Sequence, residues 1–141
     1  MLSIVIAQEC DANALFALDT LVTGVAARKN VIEETMRRQR AYAAYMDAQL
    51  CGFLLLHDHF FSYPFIDLLL VHPSFRRHGI GSALMRHAEQ QVVSGKIFTS
   101  TNTSNTAMQQ LCERLGYAHC GTITCLDEAD TEEFYCKYLL F

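Results

Sequence analysis

Apolar residues recur along the chain with two periods, near 3.6 and near 2, and the switches between them divide it into short elements. Ser3 to Glu9 opens as a β-branched strand. Leu15, Leu18 and Val22 then fall on one helical stripe, with Asp11 placed to cap it. Asn30 followed by Glu33 has the form of a capping box, so a second helix is expected through about Arg38. Two strands follow, Ala41 to Asp47 and Gln49 to His57, parted by a tight turn at Asp47-Ala48. The second is almost wholly apolar, as a strand covered on both faces would be. His57 to Tyr63 reads as a loop rich in aromatic side chains, and Pro64 to Val71 as a strand ending at His72-Pro73. A helix is expected from Gly79 to Val93, burying Ile80, Leu84, Ala88 and Val92, and a strand from Lys96 to Thr101. Asn105 to Leu115 is a helix with Met108, Leu111, Cys112 and Leu115 on one stripe and Gly116 just past its end. Thr122 to Leu126 and Glu133 to Leu140 close the chain as strands.

Composition narrows the class without changing the pattern. The 141 residues make one ordinary domain, and with 51% hydrophobic and 18% charged residues the chain can bury a core. A net charge of −4 leaves no basic footprint for nucleic acid. No apolar run approaches the roughly 20 residues that span a bilayer, and the N-terminus lacks the basic start of a secretory signal. The six cysteines are scattered with no C-x-x-C pair, which reads as reduced thiols in a cytoplasmic protein and offers no zinc ribbon.

Chemistry concentrates at Arg76-Arg77-His78-Gly79-Ile80-Gly81, between an apolar strand and a helix. The first turn of a helix has backbone N–H groups without partners and carries partial positive charge. Gly79 and Gly81 let an anion approach that backbone, and the two arginines add charge at the rim. A P-loop needs Lys-Ser/Thr after its last glycine, and here Ser82-Ala83 follows. A dinucleotide fingerprint needs glycine where Leu84 stands and an acid near the end of the next strand, where Phe98-Thr99-Ser100-Thr101 has none.

The run Leu69-Leu70-Val71-His72-Pro73-Ser74-Phe75-Arg76-Arg77-His78-Gly79-Ile80-Gly81 resembles the acetyl-CoA motif of the GNAT superfamily of N-acetyltransferases, Val-x-Pro then Gln/Arg-x-x-Gly-x-Gly/Ala. Asn105, Met108, Leu111 and Leu115-Gly116-Tyr117 resemble its second motif, Asn-x-x-Ala-x-x-Leu-Tyr-x-x-x-Gly-Phe/Tyr. The resemblance covers residues 1–141 as a single domain. It implies a mixed, mostly antiparallel sheet of about six to seven strands flanked by about four helices, with a splayed central strand pair. It also implies direct transfer of the acetyl group of acetyl-CoA to a primary amine of a small molecule, peptide or protein, without a metal. Many members pair through edge strands as homodimers. Arg76 and the amides of Arg77, His78, Gly79, Ile80, Gly81 and Ser82 would hold the pyrophosphate. Leu69, Leu70 and Val71 would follow the pantetheine arm, Asn105 and Met108 would contact it from the later helix, and the Val71 N–H would polarise the thioester carbonyl.

For the proton acceptor the residues speak more directly. Alternation puts Asp67 on the face of Leu69 and Val71, where an acid in an apolar strand must be exposed, paired or functional. A strand-end aspartate bonded to a neighbouring loop is the competing reading. Cys112 stands where the family's second motif carries a Tyr that protonates the leaving thiolate. As a small residue on an apolar stripe it also fits the core, which leaves Tyr117, Tyr135, Tyr138 or water as proton sources. That departure sustains a second reading, a non-catalytic coenzyme A-binding module, against which Asp67 and the intact loop weigh. His57-Asp58-His59 lacks the further ligands of a zinc site and borders an acceptor pocket walled by Phe60, Phe61 and Tyr63. The acidic run from Asp127 to Glu133 reads as a solvated hairpin, or as an attractor for a cationic amine.

Overall fold

The computed structural model describes residues 1–139. Leu140, the expected end of the last strand, lies outside them. In order the elements are β1 (Leu2–Ile6), α1 (Ala12–Thr23), α2 (Lys29–Arg37), β2 (Ala41–Met46), β3 (Gln49–Phe60), β4 (Tyr63–Val71), α3 (Ile80–Gln90), β5 (Lys96–Asn102), α4 (Thr106–Arg114), β6 (Ala118–Ile123) and β7 (Glu132–Tyr138). One sheet carries all seven strands in the order β1-β2-β3-β4-β5-β7-β6. Every neighbouring pair is antiparallel except β4 and β5. The expected mixed, mostly antiparallel architecture is the one observed.

Apolar stripes decide what covers each face. On one face Ile80, Leu84, Ala88 and Val92 bury against Leu54, Leu56 and Ile66, with Cys112 and Leu115 of α4 in the same cluster. On the other, Leu15 and Leu18 of α1 and Ile32 of α2 pack on Phe53 and Leu55. Strand β3 is therefore buried on both faces, as its unbroken apolar run requires. Val22, expected on the same stripe as Leu15, is only half-buried and faces a cleft described below. Asp19 is buried on α1, with Arg28 Nε 3.7 Å away across the connection to α2.

Several boundaries differ from the sequence reading, each for a local reason. β1 stops at Ile6 because a 3-10 turn, Glu9–Asp11, intervenes before α1. Asp11 makes no side-chain cap on α1; its carboxylate accepts the Gln8 N–H at 2.7 Å and the Tyr45 hydroxyl. The Asn30/Glu33 box does not form either, because the N-cap of α2 is Arg28, two residues earlier. The expected loop from His57 to Tyr63 is a hairpin. Its two-residue turn is Phe61-Ser62 at φ 50° and 69°, and Asp47-Ala48 turns the same way at 51° and 68°. Such turns ordinarily announce themselves by Asn-Gly or Asp-Gly, and neither is present. β6 lies upstream of the expected Thr122 to Leu126, and its mostly exposed edge position removes the apolar alternation that would reveal it.

Glycine is demanded at Gly52 on β3. A Cβ there would stand 2.8 Å from the Leu70 carbonyl oxygen and 3.1 Å from Ile80 Cγ2, both held by the sheet and α3. Gly52→Ala is expected to cost about 1–3 kcal/mol by overpacking. In denaturant titrations the midpoint should fall while the slope stays constant.

Candidate active site

The parallel pair β4–β5 is short. Phe65 pairs with Phe98 and Ile66 with Thr99, and Thr99 Oγ1 donates to the Ile66 carbonyl at 3.0 Å. Beyond Ile66 the strands part, so Asp67 to Val71 has a strand neighbour only on the β3 side. The His72 N–H donates to the Cys51 carbonyl at 2.8 Å, which sets the phase of the β3–β4 ladder. In antiparallel pairing the bonded and non-bonded pairs alternate, so Leu70 bonds towards β3 while the main-chain groups of Leu69 and Val71 point into the gap. Unpaired donors and acceptors on a strand edge are a template for an extended ligand.

The gap opens into a cleft of about 660 Å³ between the end of β4, the loop before α3, and α4. Leu69, Leu70 and Val71 form its floor; Arg76, Arg77, Gly79, Ile80, Gly81 and Ser82 form one wall. Asn105 and Met108 stand opposite on α4. The loop reaches this shape through two left-handed residues, Arg77 at φ 67° and Gly79 at φ 74°, which swing the chain into the first turn of α3. Gly81 is closely packed: a Cβ there would lie 3.2 Å from Leu111 Cδ2 and 3.7 Å from Leu69 Cδ2, so the Leu111 side chain would have to shift. His78 does not line the cleft; its ring stands edge-on to Phe75. Asn105 caps α4, its side-chain oxygen accepting the Met108 N–H at 3.1 Å, which leaves its amide NH₂ for a ligand. Ala107, Gln110 and Arg114 also line the cleft and were missed; their helical spacing, on the face away from the buried Cys112, was the available signal.

The two expected proton donors sit elsewhere. Cys112 is 0% exposed in the core, and burial pushes its thiol up to about 12. Tyr117 is buried as well, and its hydroxyl donates to Glu89 Oε2 at 2.9 Å. Burial and the neighbouring Glu89 carboxylate raise the pKa of this phenol. Neither residue lines the cleft. The short side chain of Cys112 ends inside the core, the packing role that its place on an apolar stripe also allowed.

Asp67 is exposed, and the alternation expected around it is broken. Leu55 pairs with Leu68 and Leu56 with Ile66, so Asp67 is the extra residue of a β-bulge. Ile66, Leu69 and Val71 pack on the α3 face, while Leu68 and Leu70 pack on the α1–α2 face. Asp67 lies within electrostatic reach of His57, which follows Leu55 by two positions and shares its face. The bulge thus moves Asp67 away from the Leu69/Val71 face, beside the point where β4 and β5 part.

His57 is not part of a metal set; its ring stacks on His59 at 3.8 Å and on Phe65 at 5.3 Å. Burial, then His59, lowers its pKa against a smaller opposing pull from Asp67 and Asp58. Burial also lowers that of His87, which packs edge-on to Tyr42. Both groups prefer the neutral form in the folded chain, so the unfolded chain binds more protons just below the ordinary value of 6.5. Their stabilising contribution is complete above that value and is lost as pH falls through the folded values. The denaturation midpoint is therefore expected to drop from pH 7 to pH 5, and to drop less in the His57→Gln, His87→Gln double variant.

The acidic run is largely engaged. Hydroxyls of Thr103 and Thr122, with His119, hold Glu133 at about 2, and Asp130 accepts from Ser104 and from the Thr131 N–H. The carboxylates nearest the sheet are thus spent on fixing the connection into β7.

A sequence profile described as the acetyltransferase (GNAT) family matches residues 12–117. Among curated proteins none matches the sequence. A crystal structure of a GNAT-family acetyltransferase from Bacillus cereus is 30% identical, with a TM-score of 0.94 over 100% of this chain and 99% of that one. The ribosomal-protein-S18-alanine N-acetyltransferase of Escherichia coli is 15% identical, with a TM-score of 0.83 over 100% of this chain and 96% of that one. Arabidopsis thaliana Naa50, in complex with the bisubstrate analogue CoA-Ac-MVNAL, is 18% identical, with a TM-score of 0.81 over 98% of this chain and 99% of that one. The last two likenesses speak to the fold alone.

Proposed function

Because the chain belongs to the GNAT acetyltransferase family, which uses acetyl-CoA as donor and an amine as acceptor, we propose that it transfers the acetyl group directly at the closed end of the β4–β5 gap. One observation carries this reading: the unpaired edge of β4 and the glycine-lined N-terminus of α3 line one cleft. Acetyl-CoA supplies the activated acyl group as a thioester. Arg76, Arg77 and the loop amides through Ser82 hold its pyrophosphate by charged and backbone hydrogen bonds. Leu69 and Val71 bond the pantetheine amides in the manner of an added strand. Leu70, Ile80 and Met108 supply the apolar lining, and the Asn105 amide reaches the cofactor from α4. A main-chain N–H of the unpaired β4 edge is assigned to the thioester carbonyl, whose oxygen gains charge in the transition state.

On the acceptor side Asp67 takes the proton of the attacking amine, directly or through water. No side chain is assigned to the leaving thiolate, which takes its proton from solvent. Direct transfer requires both substrates to be bound together. Double-reciprocal plots at several amine concentrations are expected to intersect; parallel lines would indicate a covalent intermediate and overturn direct transfer.

A further inference from the structure

The α1–α2 face of the sheet is not covered to its end. Past the helices, four strands contribute rings to one platform: His57 from β3, Phe65 from β4, Phe98 from β5 and Phe134 from β7. Phe60 joins them, with ring centroids 4.7 Å from Phe65, 5.2 Å from Phe98 and 5.9 Å from Phe134. Phe60, Phe98 and Phe134 remain partly exposed. Phe65 and Phe98 form the parallel pair next to Ile66–Thr99, beyond which β4 and β5 separate, so the platform lies one pair from the gap. Asp67 stands where the strands separate.

The charges around the platform are specific. Asp58 is paired with Arg40 at 2.9 Å, Glu132 accepts from Ser100 Oγ at 2.7 Å, and Glu133 is held by Thr103, Thr122 and His119. Asp67 carries no such partner among the described residues. One free carboxylate beside several ring faces suits one ammonium group joined to an apolar body; the Lys96 ammonium, 4.5 Å over the Tyr63 ring next to Phe98, would repel a second charge on a polyamine. Ring faces prefer a stacked or edge-on aromatic partner and tolerate a cation.

We infer that the acceptor is a primary monoamine two or three bonds from an aromatic ring, whose ring lies on the platform of Phe60, Phe65, Phe98 and Phe134 and whose nitrogen faces Asp67. This inference rests on the direct-transfer reading above. In the step, the bound ammonium first gives one proton to Asp67, which frees its lone pair; the nitrogen then bonds to the acetyl carbon and gives up its second proton to water. The carbon–sulfur bond breaks with its electron pair on sulfur, and the thiolate is protonated by water.

The test measures thiol release from acetyl-CoA with 2-phenylethylamine, a Phe-first tetrapeptide, a Ser-first tetrapeptide, ethanolamine and putrescine. The two aromatic amines are expected to exceed the other three by at least about tenfold in kcat/KM, and the better of the two identifies the source, free amine or peptide. Phe98→Leu and Phe134→Leu keep apolar volume but remove a ring face. Each should raise KM for the aromatic amine by roughly tenfold while leaving the Kd for acetyl-CoA unchanged. Equal or better turnover of putrescine, ethanolamine or the Ser-first peptide would overturn the inference while leaving acetyl transfer intact. If no amine is turned over, direct transfer fails. Binding of 2-phenylethylamine to the acetyl-CoA-loaded protein, followed by NMR line broadening, then decides the platform alone: binding lost in Phe98→Leu supports it, and absence of binding overturns it.

Discussion

Replacing Arg76 and Arg77 together by glutamate is expected to weaken acetyl-CoA binding by at least about a hundredfold in calorimetric titrations. A hydrogen bond to a charged group contributes roughly 1.5–3 kcal/mol, and each 1.4 kcal/mol is a factor of about ten, so losing two arginines reaches that range before repulsion is counted. Both side chains are exposed at the rim of the cleft, so denaturant stability should move by no more than about 0.5 kcal/mol. The affinity of the native protein should fall with added salt, and that dependence should flatten in the variant. Unchanged affinity would place the pyrophosphate elsewhere.

Asp67→Asn is the second large effect. A positioned general base contributes about 10²- to 10⁴-fold, so kcat should fall within that range while the Kd for acetyl-CoA stays constant. Asparagine preserves the size and exposure of the side chain at the bulge, which separates loss of the base from loss of the local fold. A variant with native kcat across pH would return Asp67 to a purely structural role.

The features legible in the sequence are those set by neighbours in the chain. The stripe of Ile80, Leu84 and Ala88 is read correctly because a helix face is defined within one segment, and all three are buried; Val92 is buried too, but beyond the end of α3 at Gln90. The anion loop is equally local: Gly79 and Gly81 declare its backbone, and the cleft lies on it. What stays hidden depends on distant partners or on unusual residues in familiar roles. Phe61-Ser62 forms a tight turn without glycine, so the hairpin reads as a loop. The bulge at Asp67 exists only relative to Leu55 and Leu56 on β3, and strict alternation places the residue on the wrong face. Cys112 satisfies the helical stripe of the second motif but ends in the core, because a thiol spans far less distance than a phenol. The ring platform draws on residues 57, 60, 65, 98 and 134, which only the strand order brings together.

The most direct measurement is the stoichiometry of a single reaction: the native protein with acetyl-CoA and 2-phenylethylamine, read by free-thiol assay and by the mass of the amine. One N-acetylated amine for each thiol released, with no acetyl group retained on the protein, is the predicted result. Tight acetyl-CoA binding with thiol release no faster than buffer hydrolysis, for this and every other class of amine, would contradict catalysis at the gap.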